Sequence, residues 1–231
     1  MPRRSRPQKT TRSEHWIRVA VNQSEAMLNA LVSELFGWDA CDEIQWLSPI
    51  ASDDYAEYYD KEFLDRWGVV NLAVPLSTFW PSGGPRWDGL AKTNSGKKLL
   101  VEAKAYIEEG VDYGSKAKSD QALSQIRQSL AMTKEGFKAA KKAPLWETPF
   151  YQYTNRLAHL YFLRRLNRID AYLLFLYFAD APDVPLACTK QQWEGAERPV
   201  KRALGLPTRH PFSDYVRTLI LSVADINRTA D

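Results

Sequence analysis

Hydrophobic spacing divides the chain into alternating helical and extended segments. Over residues 22–36, Met27, Leu28, Leu31, Val32 and Leu35 recur at helical intervals, and Asn22 followed by Glu25 has the spacing of a capping box. Residues 43–50 read as a strand ending at Pro49. Residues 52–68 read as an acidic, Tyr-rich helix stopped by Gly68, and 69–76 as a further short strand. Proline, glycine and serine then crowd into 80–87, which marks a loop. Residues 117–140 form a long helical pattern with Leu123, Ile126, Leu130 and Phe137 on its apolar side, and 148–167 form another through Leu157, Leu160, Tyr161 and Arg164. The run 171–179 predicts a buried strand. Beyond it, 190–205 predict a helix closed by Gly205, and the β-branched run within 214–226 an edge strand beside 171–179.

Between the loop and the long helix, Asn94, Ser95 and Gly96 supply turn chemistry flanked by short apolar runs, a hairpin signal over 86–106. A turn centred on Ser95 pairs Leu90 with Leu100, Asp88 with Glu102 and Arg86 with Lys104. Opposed side chains lie roughly 5 Å apart at Cβ, so two carboxylates there repel each other unless a positive charge intervenes. A divalent cation held by Asp88, Glu102 and the carbonyl of Ala103 would supply it. Glu102 and Lys104, two residues apart on one strand, share a face.

Composition limits the alternatives. With 231 residues and 45% hydrophobic content, the chain is long enough for one domain with a substantial core, predicted over 13–231. Cys41 and Cys188 form no CxxC pair, and His15, His159 and His210 lack zinc-ligand spacing, which predicts a reducing, cytoplasmic setting. The longest apolar run is too short to span a bilayer, so no membrane partner is expected. Residues 1–12 carry Arg3, Arg4, Arg6, Lys9 and Arg12 without an acid and read as a disordered basic arm. Removing those five charges from the formal +3 leaves −2 for the rest. A phosphate-binding loop at 95–98 is excluded, because Ala91 stands where its first glycine belongs and Lys98 where Ser or Thr belongs. No G-x-S-x-G elbow and no G-x-G-x-x-G motif occurs. A glycosidase carboxylate pair lacks any barrel pattern to carry it.

Asp88, a hairpin and then Glu102-Ala103-Lys104 together resemble the PD-(D/E)XK nuclease superfamily, with Trp87 at the proline position of its motif. The resemblance implies an α/β fold: a mixed central sheet with flanking helices, a restriction-endonuclease-like αβββαβ core, here with a C-terminal extension. It also implies a metal-dependent nuclease leaving 5′-phosphate ends. Asp88 and Glu102 would bind Mg²⁺, with Mn²⁺ as a substitute, and Lys104 would position or activate the attacking water. Many members add a carboxylate from the first helix. Glu25 is the candidate here, with Glu34, Glu57 and Glu62 as rivals. Gln152 on the helix 148–167 partly matches a nucleic-acid-holding glutamine of some branches, although Arg156 stands where an aromatic follows it. Lys116, Lys118 and Arg156 are further candidates for gripping a strand, whereas Asn155 and His159 read as satisfied groups in a packed helix interface. The implied partner is nucleic acid, DNA first, with a homodimer among the assemblies allowed. A catalytically silent binding module built on the same hairpin is the competing reading.

Overall fold

The computed structural model describes residues 10–228. Its centre is a five-stranded mixed sheet in the order β1 (Ile44–Ser48), β2 (Gly89–Thr93), β3 (Lys98–Lys104), β4 (Ala171–Ala179), β5 (Val216–Ser222). The first two pairings are antiparallel and the last two parallel. Against one face pack α1 (Arg12–Gln23), α2 (Glu25–Phe36) and α8 (Val223–Arg228); against the other pack α3 (Lys61–Arg66), α4 (Leu76–Phe79), α5 (Asp120–Gly136), α6 (Tyr151–Tyr161) and α7 (Lys190–Ala203). The fold is therefore mixed α/β with helices on both faces. Strand β4 is buried at every residue, as a central parallel strand covered on both sides must be. Its odd-numbered residues, from Leu173 to Tyr177, face the aromatic-rich core under α6 and α7, and its even-numbered ones face α1 and α2. By the β3–β4 register, Glu102 lies beside Phe175 and Lys104 beside Tyr177. Two charged side chains thus project from the centre of the sheet toward α6.

The hairpin register is the one its turn residues predict, with Leu90 opposite Leu100. Gly89 opens β2 where a Cβ would come within 3.1 to 3.2 Å of Ile17, Trp46 and Val101, a tight contact that would push these side chains aside by a few tenths of an ångström. Several local expectations are corrected. The predicted capping box does not form: Asn22 closes α1, its side chain donating to the carbonyls of Arg18 and Pro49 and accepting from Ala51 N–H. The acidic helix of 52–68 shrinks to α3. Asp54, Tyr55 and Asp60 take left-handed backbone, Trp87 N–H bonds to Tyr58 O, and the Asp60 carboxylate accepts from Gly83 and Gly84 N–H. Asp60 serves backbone donors more than 20 residues on rather than the turn of a helix. The strand expected at 69–76 is a loop, with Val70 exposed and Val74 N–H bonded to the Asn167 side chain.

Helix α5 is shorter at both ends than predicted, and α6 passes into a π-helical turn at Phe162–Leu166. Gly205, at φ 65° beyond α7, packs so closely on Ala140 that a Cβ would come within 2.8 Å. The basic arm expected over 1–12 lies outside the described residues as far as residue 9; Arg12 begins α1.

Candidate active site

The β2–β3 ladder ends at Gly89 opposite Val101, yet β3 continues to Lys104, paired only with β4. The edge of β3 beyond Val101 is therefore open on the β2 side. Asp88 fills part of it, its Oδ2 accepting the Ala103 N–H at 2.8 Å where a ladder bond would otherwise fall. A residue's N–H and C=O project from the same edge of a strand, so the Ala103 carbonyl faces this opening too. Asp88, Glu102 and Lys104 all line one cleft of about 840 Å³.

Glu102 is 2% exposed and is held by two cations. Arg156 from α6 places Nε 2.6 Å and Nη2 2.5 Å from Oε2. Lys104 Nζ lies 2.7 Å from Oε1, near enough for an ion pair but outside the angular range of a hydrogen bond, so Oε1 is a buried acceptor without an aligned donor. Burial pushes the Glu102 carboxyl up, but Arg156 and Lys104 outweigh it and hold the group below the usual glutamate value. Burial likewise opposes charge on Lys104, and the carboxylates of Glu102 and Asp88 outweigh it and raise its ammonium. Asp88 has no such compensation. Burial and the neighbouring charge of Glu102 raise its carboxyl to about 8, against the weaker pull of Lys104 and the Ala103 N–H.

This asymmetry has a measurable consequence. Because Asp88 has a native value near 8 and an unfolded value near 3.8, its contribution to stability is full below about pH 4 and is lost as pH rises toward 8. Asp88→Asn, which keeps an acceptor for Ala103 N–H, is expected to melt higher than the wild type at pH 8 without metal, with the advantage shrinking toward pH 4. Equal melting temperatures at both pH values would contradict the shift.

Arg156 was expected to grip a nucleic-acid strand. It reaches the cleft, but its donors go to Glu102, the Asn155 side chain and the Arg86 carbonyl, and its guanidinium lies 5.1 Å from the Trp87 ring centroid. It orients Glu102. Gln152 and Lys116 line the cleft, whereas Lys118 is exposed and does not. Glu25 is exposed at the start of α2 and is also absent from the lining. The carboxylates sharing the cleft are Glu14, Glu57 and Glu109, so of the rivals weighed only Glu57 is brought there. Glu109 is engaged by Ala105 N–H at 2.6 Å and Ser13 Oγ at 3.3 Å, and Glu14 by Arg18 at 2.6 Å.

Arg12, Glu14 and Arg86 are cleft residues that sequence reasoning missed. The signal for the first two was the helical spacing of Trp16, Ile17, Ala20 and Val21, all buried in α1. His159 is 1% exposed beside Trp80, Trp87 and Phe63, its Nδ1 2.8 Å from the Asn155 carbonyl. Burial lowers it to about 4, so it is neutral near pH 7 and donates from Nδ1.

The donor set fits a hard cation. It offers the buried Glu102 Oε1 whose close partner is the Lys104 ammonium, an Asp88 carboxyl that gains from a positive neighbour, and the Ala103 carbonyl. No cluster of three or more His, Cys, Asp or Glu side chains that could hold a metal ion occurs among the described residues. No helix among the described residues is long and apolar enough to cross a membrane. Comparison of the chain with protein-family models, with curated proteins and with solved structures finds no significant match.

Proposed function

We propose that this protein is a metal-dependent phosphodiesterase that cleaves nucleic acid, DNA in particular, with a PD-(D/E)XK-type site. The observation that carries the reading is the meeting of Asp88, Glu102 and Lys104 at the open end of β3. The order of helix, antiparallel meander, helix and parallel strand (α1, β1–β3, α5–α6, β4) supports it.

Asp88, Glu102 and the Ala103 carbonyl would hold Mg²⁺. When bound, the ion polarises the scissile phosphate and lowers the pKa of a bound water. Arg156 fixes the Glu102 carboxylate in place through Oε2, leaving Oε1 toward Lys104. Lys104, kept charged by both acids, offers a cation to the charge that develops on the phosphate oxygens. Arg86 and Lys116 on the cleft walls attract the polyanion. Incubation of linear and supercoiled DNA with Mg²⁺ or Mn²⁺ is expected to give metal-dependent breaks bearing 5′-phosphates, abolished by a chelator. Absence of cleavage with either metal, or cleavage indifferent to chelation, would overturn the reading.

One observation favours a non-catalytic binding module: Arg156 already neutralises Glu102, so the acid has a protein partner without metal. Such a module would bind DNA and leave it intact in every metal tested. Under either reading Lys116, exposed at the cleft, contacts phosphate as a point charge. Lys116→Ala is expected to weaken DNA binding about equally for all sequences and to lower the slope of log affinity against log salt by about 1. An unchanged slope would remove Lys116 from the interface.

A further inference from the structure

Beside the charged cleft lies a second cavity of about 310 Å³, and the two share Glu102, Lys104 and Gln152 as a common wall. Apolar and aromatic groups dominate the rest of its lining. Tyr153 stacks on Phe175 with centroids 4.2 Å apart, Tyr177 stacks on Trp193 at 4.4 Å, and Ala196 and Val200 of α7 close the far side together with Glu197, an acceptor for a donor edge of the occupant. Tyr153 and Tyr177 are 8% and 7% exposed, and neither hydroxyl hydrogen-bonds to another described residue. Burial holds both phenols well above their usual pKa, so they remain neutral groups able to donate and accept.

An occupant must therefore be small and apolar over most of its surface, with polar edges for two phenols and an anionic end near Lys104. The volume is at the small end of the roughly 300–1,000 Å³ typical of ligand pockets, enough for one ring system with little to spare. A purely aliphatic ligand would leave the phenols unpaired and gain nothing from the adjoining cations. We propose that this cavity receives the base of an unstacked nucleotide whose phosphate sits at Asp88, Glu102 and Lys104. The protein then engages single-stranded ends or splayed nucleotides at the point of cleavage. This inference rests on the phosphodiesterase reading.

The test compares thymidine 5′-monophosphate with 2-deoxyribose 5-phosphate by calorimetry in Mg²⁺; neither carries a phosphodiester, so only binding is read. The nucleotide is expected to bind at least about fivefold tighter than the abasic phosphate, the low end of what one base–aromatic contact supplies. Ala196→Trp, which fills the cavity from α7, should erase that difference while leaving the abasic phosphate's affinity unchanged. Equal affinities in the wild type, no saturable binding of either, or an undiminished difference in the filled variant would each overturn the proposal. Should Ala196→Trp fail to fold, the wild-type comparison and Val200→Phe decide in its place. A base-dependent gain without metal-dependent DNA cleavage would keep the pocket and remove the nuclease, and cleavage without the gain would do the reverse.

Discussion

Lys104→Ala is expected to slow DNA cleavage by about a hundredfold to a thousandfold while still binding Mn²⁺. The lysine donates to no metal and supplies no ligand. Its role is to present a fixed, largely buried cation to charge that develops only in the transition state, and removing one preorganised donor of that kind costs about 3 to 4 kcal/mol. Its position 2.7 Å from Glu102 Oε1 means that its loss also removes a cation which competes with metal for the same oxygen. Mn²⁺ affinity should thus hold or rise as kcat falls. Cleavage at the wild-type rate would reduce Lys104 to strand decoration.

Arg156→Ala is expected to lower the stability of the metal-free protein by about 3 kcal/mol, the low end for breaking a buried ion pair, because Lys104 still faces Glu102. For a chain of this size that corresponds to a fall in Tm of about 6–12 °C. The Glu102 carboxyl is held below its ordinary 4.5 in the native protein, so the pair's contribution is fully present above about pH 4.5 and is lost as pH falls through the native value. The gap between wild type and variant should narrow in acid. Mn²⁺, which binds the native state and supplies the missing positive charge, should raise the variant's Tm more than the wild type's. A variant as stable as the wild type, or one indifferent to Mn²⁺, would show that Arg156 does not set the state of Glu102.

The hairpin was legible because its signal is local. Asn94-Ser95-Gly96 fixes the turn and the turn fixes the register from Lys92 and Lys98 to Gly89 and Val101; the expected pairs Asp88–Glu102 and Arg86–Lys104 lie beyond the end of that ladder, where Asp88 instead accepts the Ala103 N–H. The buried strand β4 and the helices α5, α6 and α7 were legible through long apolar patterns. What was not legible depended on partners distant in sequence. Arg156 reads as a surface cation on a helix, and only the packing of α6 over β3 aims it at Glu102, 54 residues away. The acids of 52–68 read as a solvated helix face, yet Asp60 is drawn out of helical geometry by backbone N–H groups more than 20 residues on. Glu25 stands on the first helix that the apolar pattern reveals, and it is exposed away from the cleft. The missed helix α1 takes the position nearer the cleft and brings Glu14 and Arg12 instead.

Calorimetric titration of Mn²⁺ into the wild type and Asp88→Ala reads whether Asp88 and Glu102 form a divalent-cation site. Because Asp88 is protonated below about pH 8 without metal, binding releases a proton, and wild-type affinity should rise with pH up to that value. Saturable binding with this pH dependence is expected in the wild type, and loss of that binding in a folded Asp88→Ala protein together with loss of cleavage. Absence of Mn²⁺ binding in the wild type, or identical isotherms for the two proteins, would contradict that site.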